Sequence, residues 1–91
     1  MGFAAPSMAQ DAISKAAIDQ ATQIIKAGGD IEKGLKTIYK DNKKNPVVLV
    51  GIGKAFLNVN DTANAMKYAT MAMEINKKYA DAYILAGDIE V

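Results

Sequence analysis

Apolar residues recur at helical spacing in four successive segments of the chain, and a fifth such segment begins near Ala80. Apolar side chains spaced three or four positions apart lie on one face of a helix. The predicted helices cover residues 11–27, 30–42, 46–58 and 61–76, with the fifth running from residue 80 onward. We therefore expect an all-α protein in which each helix buries one face.

The breaks between these segments carry residues that are typical of helix ends. Gly28 and Gly29 suit the left-handed turn that closes a helix, and Asp30 is placed to cap the helix that follows. Pro46 suits the first turn of the third helix, and Asp61 is placed to cap the fourth. These residues predict where each helix ends and where the next begins.

The chain also repeats itself. Leu49 and Gly53 are followed 34 positions later by Tyr83 and Gly87, in the corresponding part of the next helix. A period of 34 residues with two helices in each unit is the signature of a helical repeat.

The unit that opens at Pro46 resembles the tetratricopeptide repeat (TPR) family. The family pattern is W-x2-L-G-x2-Y, then A-x3-F, then a late proline. Leu49, Ile52, Gly53 and Phe56 match its first half, with Leu49 in the Trp position. The later small or aromatic positions hold Ala65, Ala69 and Ala72. The sequence departs from the family pattern at the late proline, where it has a lysine at position 77.

The resemblance implies TPR-type antiparallel hairpins that stack into an α–α superhelix. It places about two repeats, over residues 15–45 and 46–79, and the first helix of a further unit over residues 80–91, so that residues 11–91 form one repeat domain. The match is weaker in the first unit: Asp30 and Asp61 are 31 residues apart, three fewer than the period of 34. The helical pattern continues to Val91 without a cap, which predicts that the chain is cut from a longer protein.

In the TPR family the first helix of each hairpin, helix A, lines an inner groove that holds a peptide or a partner helix. Transferring the groove positions by register gives these candidate partner-binding residues: Asp19, Gln23, Val50, Lys54, Leu57, Asn58, Asp81 and Leu85. The resemblance thus implies a non-catalytic scaffold for protein–protein interaction. The alternative is a structural N-terminal cap or spacer of a longer repeat protein, which self-associates through its exposed last helix when isolated.

Composition narrows the chemistry further. Hydrophobic residues make up 51% and charged residues 23%, which is a globular balance. The chain has no cysteine and no histidine, and the spacing of its carboxylates offers no catalytic pair. Its eleven basic residues are all lysine, and ten acidic residues leave a net charge of +1. We therefore expect no enzyme activity, no cofactor, no metal and no nucleic-acid partner.

Residues 1–10 differ from the rest because they carry no charge and are mostly small. Ser7 and Ala9 place small residues where a signal peptidase requires them. Two interpretations stay open: a signal-peptide remnant, which implies an exported or periplasmic protein, or a disordered extension of a cytoplasmic one. No segment reaches the roughly 18–20 apolar residues of a membrane span.

Lysines recur at helical spacing along the second predicted helix, at positions 33, 36 and 40 and again at 43 and 44. The simplest interpretation of this basic stripe is a solvated outer face. The alternatives are contact with an acidic protein or with a membrane surface.

Overall fold

Five helices account for most of the residues that the structure describes. The computed structural model describes the backbone of residues 5–90 and the side chains of residues 12–90. The helices are α1 (Ala5–Ala27), α2 (Ile31–Asn42), α3 (Pro46–Asn58), α4 (Thr62–Ile75) and α5 (Ala80–Glu90). The described part contains no strand, so the expectation of an all-α protein is confirmed.

Helix α1 is longer than predicted because it begins at Ala5, six residues before the expected start. Residues 5–10, which were assigned to a signal remnant or a disordered extension, therefore have helical backbone. The part of that assignment that falls on residues 1–4 lies outside the described residues.

The capping residues act where the sequence placed them. The Asp30 carboxylate accepts a hydrogen bond from the backbone N–H of Lys33 at 3.1 Å, and Asp61 accepts one from Asn64 at the same distance. Each bond satisfies a backbone donor that has no partner within its helix. Gly28 and Gly29 adopt positive φ angles of 78° and 71°, which the turn into α2 requires.

Helix α3 is the central element. It packs most extensively against α4, and α1 and α5 lie along its two sides. Helix α2 packs on α1 and meets α3 only marginally, while α2 and α4 have no Cα atoms within 8 Å of each other in the described part. The core therefore lies around α3, and α2 joins it through the buried Leu35 and Ile38.

Two glycines of α3 permit the close approach of neighbouring helices. A Cβ atom on Gly53 would lie 2.7 Å from Cδ2 of Leu85 in α5 and 3.3 Å from the backbone oxygen of Ala65 in α4. A Cβ atom on Gly51 would lie 2.5 Å from Cγ1 of Ile18 in α1. Glycine is costly inside a helix, and here these contacts explain why it is used.

The exposure of several apolar residues departs from the sequence pattern. The spacing of apolar residues places Ile13 on the apolar face of α1 and Ile75 on that of α4, but Ile13 is 58% exposed and Ile75 is 40% exposed. The apolar face of α5 was expected to have no partner in this chain, but Leu85 is buried against α3. That expectation was therefore wrong for Leu85, whereas Tyr83 and Ile84 do remain exposed.

Candidate functional site

Two depressions in the described part of the surface lie on different sides of α3. The first, called the groove here, has a volume of about 350 Å³ and lies where α1, α3 and the start of α5 meet. The second, called the cleft, has a volume of about 980 Å³ and lies between α2 and α4 above α3.

The groove combines an apolar base with a few polar groups. Its lining residues come from three places: Ile18 and Thr22 in α1, Val47, Val50, Gly51, Lys54, Ala55 and Asn58 in α3, and Tyr79 and Asp81 around the start of α5. The Thr22 hydroxyl donates a hydrogen bond to the backbone oxygen of Ile18 at 2.7 Å, so it is already used within its own helix. Lys54, Asn58 and Asp81 are exposed and supply the polar groups that a ligand would meet.

Half of the candidate partner-binding residues come together in this groove. Lys54, Asn58 and Asp81 line it with their side chains exposed, although Asp81 is 27 positions after Lys54 in the chain. Val50 also lines the groove, but it is only 3% exposed and so forms part of the base. A partner could therefore contact only the small part of the Val50 side chain that faces the groove.

The other four candidates do not line the groove. Asp19 and Gln23 are exposed on α1, and the Asp19 carboxylate forms an ion pair with Lys15 at 3.2 Å on the same helix. Leu57 is half-buried at the end of α3. Leu85 is 1% exposed because it packs on Gly53, so it belongs to the core and not to the groove surface.

Tyr79 was not selected from the sequence, yet it lines the groove beside Asp81. Burial raises the pKa of the Tyr79 phenol, and the nearby Asp81 carboxylate raises this pKa further. The phenol is therefore neutral at neutral pH, where it can donate a hydrogen bond but cannot act as a base. The groove thus offers an ammonium group, a carboxylate, an amide and a phenol around an apolar base.

The cleft is the feature that sequence reasoning missed. Its walls include Leu35 and Tyr39 of α2, Phe56 of α3, and Tyr68 and Met71 of α4. The sequence showed these side chains as apolar positions of separate helices. It carried no signal that α2 stands far enough from α4 to leave a space between them.

An aromatic cluster forms the floor of this cleft. The Phe56 and Tyr68 rings stack with their centroids 5.6 Å apart, and Tyr39 meets Tyr68 edge-on at 6.3 Å. Burial raises the pKa of the Tyr68 phenol, with smaller contributions from Tyr39 and the Glu32 carboxylate. The Tyr39–Tyr68 contact links α2 to α4 across the floor.

Neither depression contains a recognisable metal site. In the part of the chain that the structure describes, no three carboxylates lie close enough together to hold a metal ion. Within the same residues, no helix combines the length and apolarity needed to span a membrane. Comparison with protein-family models, with curated proteins and with solved structures gave no match.

Proposed function

We propose that this chain is a TPR-type helical repeat scaffold, without catalytic activity, that binds a peptide or a partner protein in the groove. The observation that carries the proposal is the meeting of residues distant in sequence: Lys54, Asn58 and Asp81 were selected by repeat register and line one groove. The side-by-side packing of α1, α3 and α5 supports it, because first helices of successive hairpins lie next to one another in such repeats.

The composition of the groove favours an extended peptide over a small molecule. The groove is open to solvent, and its volume of about 350 Å³ is near the lower end of the range for enclosed ligand pockets, so it suits a few side chains of a longer ligand. Lys54 and Asp81 carry opposite charges, and Asn58 can both donate and accept a hydrogen bond. We expect a ligand with an apolar side chain over Val50 and polar groups on either side.

The test is a selection of peptides from a random library on the immobilised chain, followed by affinity measurement by fluorescence anisotropy. Selected peptides are compared on the wild type and on the Lys54→Glu, Asn58→Ala variant. The proposal predicts that this variant loses affinity by about tenfold or more, since few interface residues carry most of the binding energy. The matched control is Lys40→Glu, which makes the same charge change on the exposed surface of α2, outside the groove.

Two results would contradict the proposal. One is a set of peptides whose affinity falls equally in the groove variant and in the control. The other is a selection that yields no peptide sensitive to the groove variant, although circular dichroism shows both proteins to be folded.

The second candidate function is structural, and the exposed face of α5 favours it. Tyr83 is 49% exposed and Ile84 58% exposed, side by side on this short helix. In the structural role these side chains pack on a further repeat, or on a second copy when the chain is isolated. This role predicts a mass that rises with concentration in sedimentation equilibrium and returns to that of a monomer in Ile84→Glu. A monomer at all concentrations would contradict self-association.

A further inference from the structure

The cleft between α2 and α4 is larger than the groove and faces a different side of the molecule. Helix α2 is held by α1 and only marginally by α3, and in the described part it has no Cα atom within 8 Å of α4, which leaves a space between these two helices. The volume of about 980 Å³ is that of a site for several side chains.

Both the floor and the walls of the cleft present apolar side chains. Leu35, Phe56 and Tyr68 form the deepest part and are almost fully buried. Ile31 and Met71 stand higher on the walls and are half-buried, so a ligand can still cover them. Covering such apolar surface would provide most of the free energy of binding.

The rim of the cleft is predominantly basic. Lys33 and Lys36 on α2 and Lys67 on α4 are exposed, and within the described residues none of the three has a carboxylate within 4 Å. The rim also holds two carboxylates, Asp30 and Glu32. Asp30 already accepts the backbone hydrogen bond that caps α2. With three ammonium groups and two carboxylates, the rim has a net charge of +1 around an apolar floor, which favours an acidic ligand.

We propose that the cleft binds an acidic peptide segment that carries bulky apolar side chains. The apolar side chains enter between α2 and α4 and cover Ile31 and Met71, while the acidic side chains face the rim lysines. This mode resembles the docking of an amphipathic segment into a hydrophobic groove. The proposal is independent of the groove, because the two sites have no lining residue in common.

The test uses a fluorescein-labelled probe peptide of leucine and glutamate, patterned to place its leucines on one helical face. A second peptide with every glutamate replaced by lysine serves as the ligand control. The rim variant is Lys36→Glu, Lys67→Glu. The matched protein control is Lys44→Glu, Lys78→Glu, which reverses two exposed lysines outside the cleft. Affinities are measured by fluorescence anisotropy at low salt, where surface charges are least screened.

We expect the rim variant to weaken the acidic peptide by about tenfold, since two attractive pairs become repulsive. The control variant should change the affinity by less than about twofold, and the lysine peptide should not bind the wild type. In methyl NMR spectra, the peptide should shift Met71 and Ile31, which line the cleft, and leave Ile18, which lines the groove, unchanged.

Several outcomes would overturn the proposal. These are equal losses in the rim and control variants, equal binding of both peptides, shifts confined to Ile18, and no binding at millimolar concentration. Shifts of Met71 caused by anionic phospholipid vesicles but not by the peptide would assign the cleft to a membrane surface instead. Shifts of Met71 that follow the concentration of the protein alone would assign it to a second copy of the chain.

Discussion

Replacing Gly53 with alanine tests the packing around α3 most sharply, because the chain contains its own control. Gly53 and Gly87 lie 34 positions apart, in corresponding parts of α3 and α5. A Cβ atom on Gly53 would meet Leu85 at 2.7 Å and the backbone of Ala65 at 3.3 Å, whereas one on Gly87 would have nothing within 4 Å. We expect the same substitution to have opposite effects on stability at the two positions.

The expected magnitudes follow from two competing contributions. Alanine is favoured over glycine inside a helix by about 0.8–1 kcal/mol. At Gly87 this contribution acts alone, reduced by its position near the end of α5, so Gly87→Ala should stabilise the fold by about 0.5 kcal/mol. At Gly53 the added methyl group overpacks a buried contact, which typically costs about 1–3 kcal/mol. The net effect of Gly53→Ala should be a loss of about 1 kcal/mol.

The assay is urea unfolding followed by circular dichroism, with thermal unfolding as a second measure. For a domain of this size the two variants should differ in Tm by roughly 6–12 °C, since each kcal/mol corresponds to about 4–8 °C. In a Leu85→Val background, which lacks the Cδ2 atom, the loss caused by Gly53→Ala should shrink. A Gly53→Ala variant as stable as Gly87→Ala would show that the contacts of Gly53 with Leu85 and Ala65 are not as close as described.

Three further predictions concern single side chains. Asp61→Ala should lower the free energy of unfolding in urea by about 1 kcal/mol, because Asp61 accepts hydrogen bonds from both the backbone and the side chain of Asn64. Asparagine is also a good capping residue, so Asp61→Asn should retain most of the stability. An unchanged midpoint in Asp61→Ala would contradict the capping role. The pKa of the Tyr68 phenol is raised in the folded protein, so the unfolded chain loses the phenol proton first, near pH 10.0. The contribution of the neutral phenol to folding stability is therefore complete below that pH and is lost as the pH rises through the folded pKa. Unfolding at pH 9 and pH 11 should therefore show a smaller loss in Tyr68→Phe than in the wild type, and equal losses would contradict the shift. Finally, Asp19→Asn should leave the urea midpoint unchanged within error, because its pair with Lys15 is exposed on both sides; a clear loss would show that Asp19 contributes more than this surface pair.

Helix boundaries were predictable from the sequence because they depend on short-range chemistry. Asp30 and Asp61 bond to backbone groups three residues further on, and the glycines at 28 and 29 adopt their turn without a distant partner. Such interactions can be recognised from the residues themselves. The starts of α2 to α5 and the ends of α2 to α4 were accordingly placed to within one residue, whereas α1 begins within the residues whose composition had suggested an extension.

Burial was less predictable because periodicity shows which face of a helix is apolar and not whether a neighbour covers it. Ile13 has the expected spacing but remains exposed, while the adjacent Ser14 is buried and accepts a hydrogen bond from the Asn45 side chain at 3.0 Å. Lys54 and Leu85 were both selected by register transfer, but Lys54 lines the groove whereas Leu85 is buried in the core. The contact of Leu85 with Gly53 depends on the distance between two helices, which a single helix pattern does not contain.

The cleft illustrates the same limit. Its existence depends on the separation of α2 and α4, which in the described part have no Cα atoms within 8 Å of each other and are linked by the edge-on contact between Tyr39 and Tyr68. The sequence indicated the lysines of its rim as a basic stripe, and their simplest interpretation was a solvated face. The structure distinguishes a cleft from a solvated face because Phe56 and Met71 line the same depression as these lysines.

A nuclear Overhauser spectrum of the chain in solution tests the packing of α1, α3 and α5 directly, through the α-protons of two glycines. The groove exists only if α1 and α5 lie on either side of α3. The account predicts strong cross-peaks from the Gly51 α-protons to Ile18 methyl groups and from the Gly53 α-protons to the Leu85 methyl groups. This arrangement, and the groove that depends on it, would be contradicted if either set of cross-peaks were missing from a folded protein and the α5 amide protons exchanged freely with solvent.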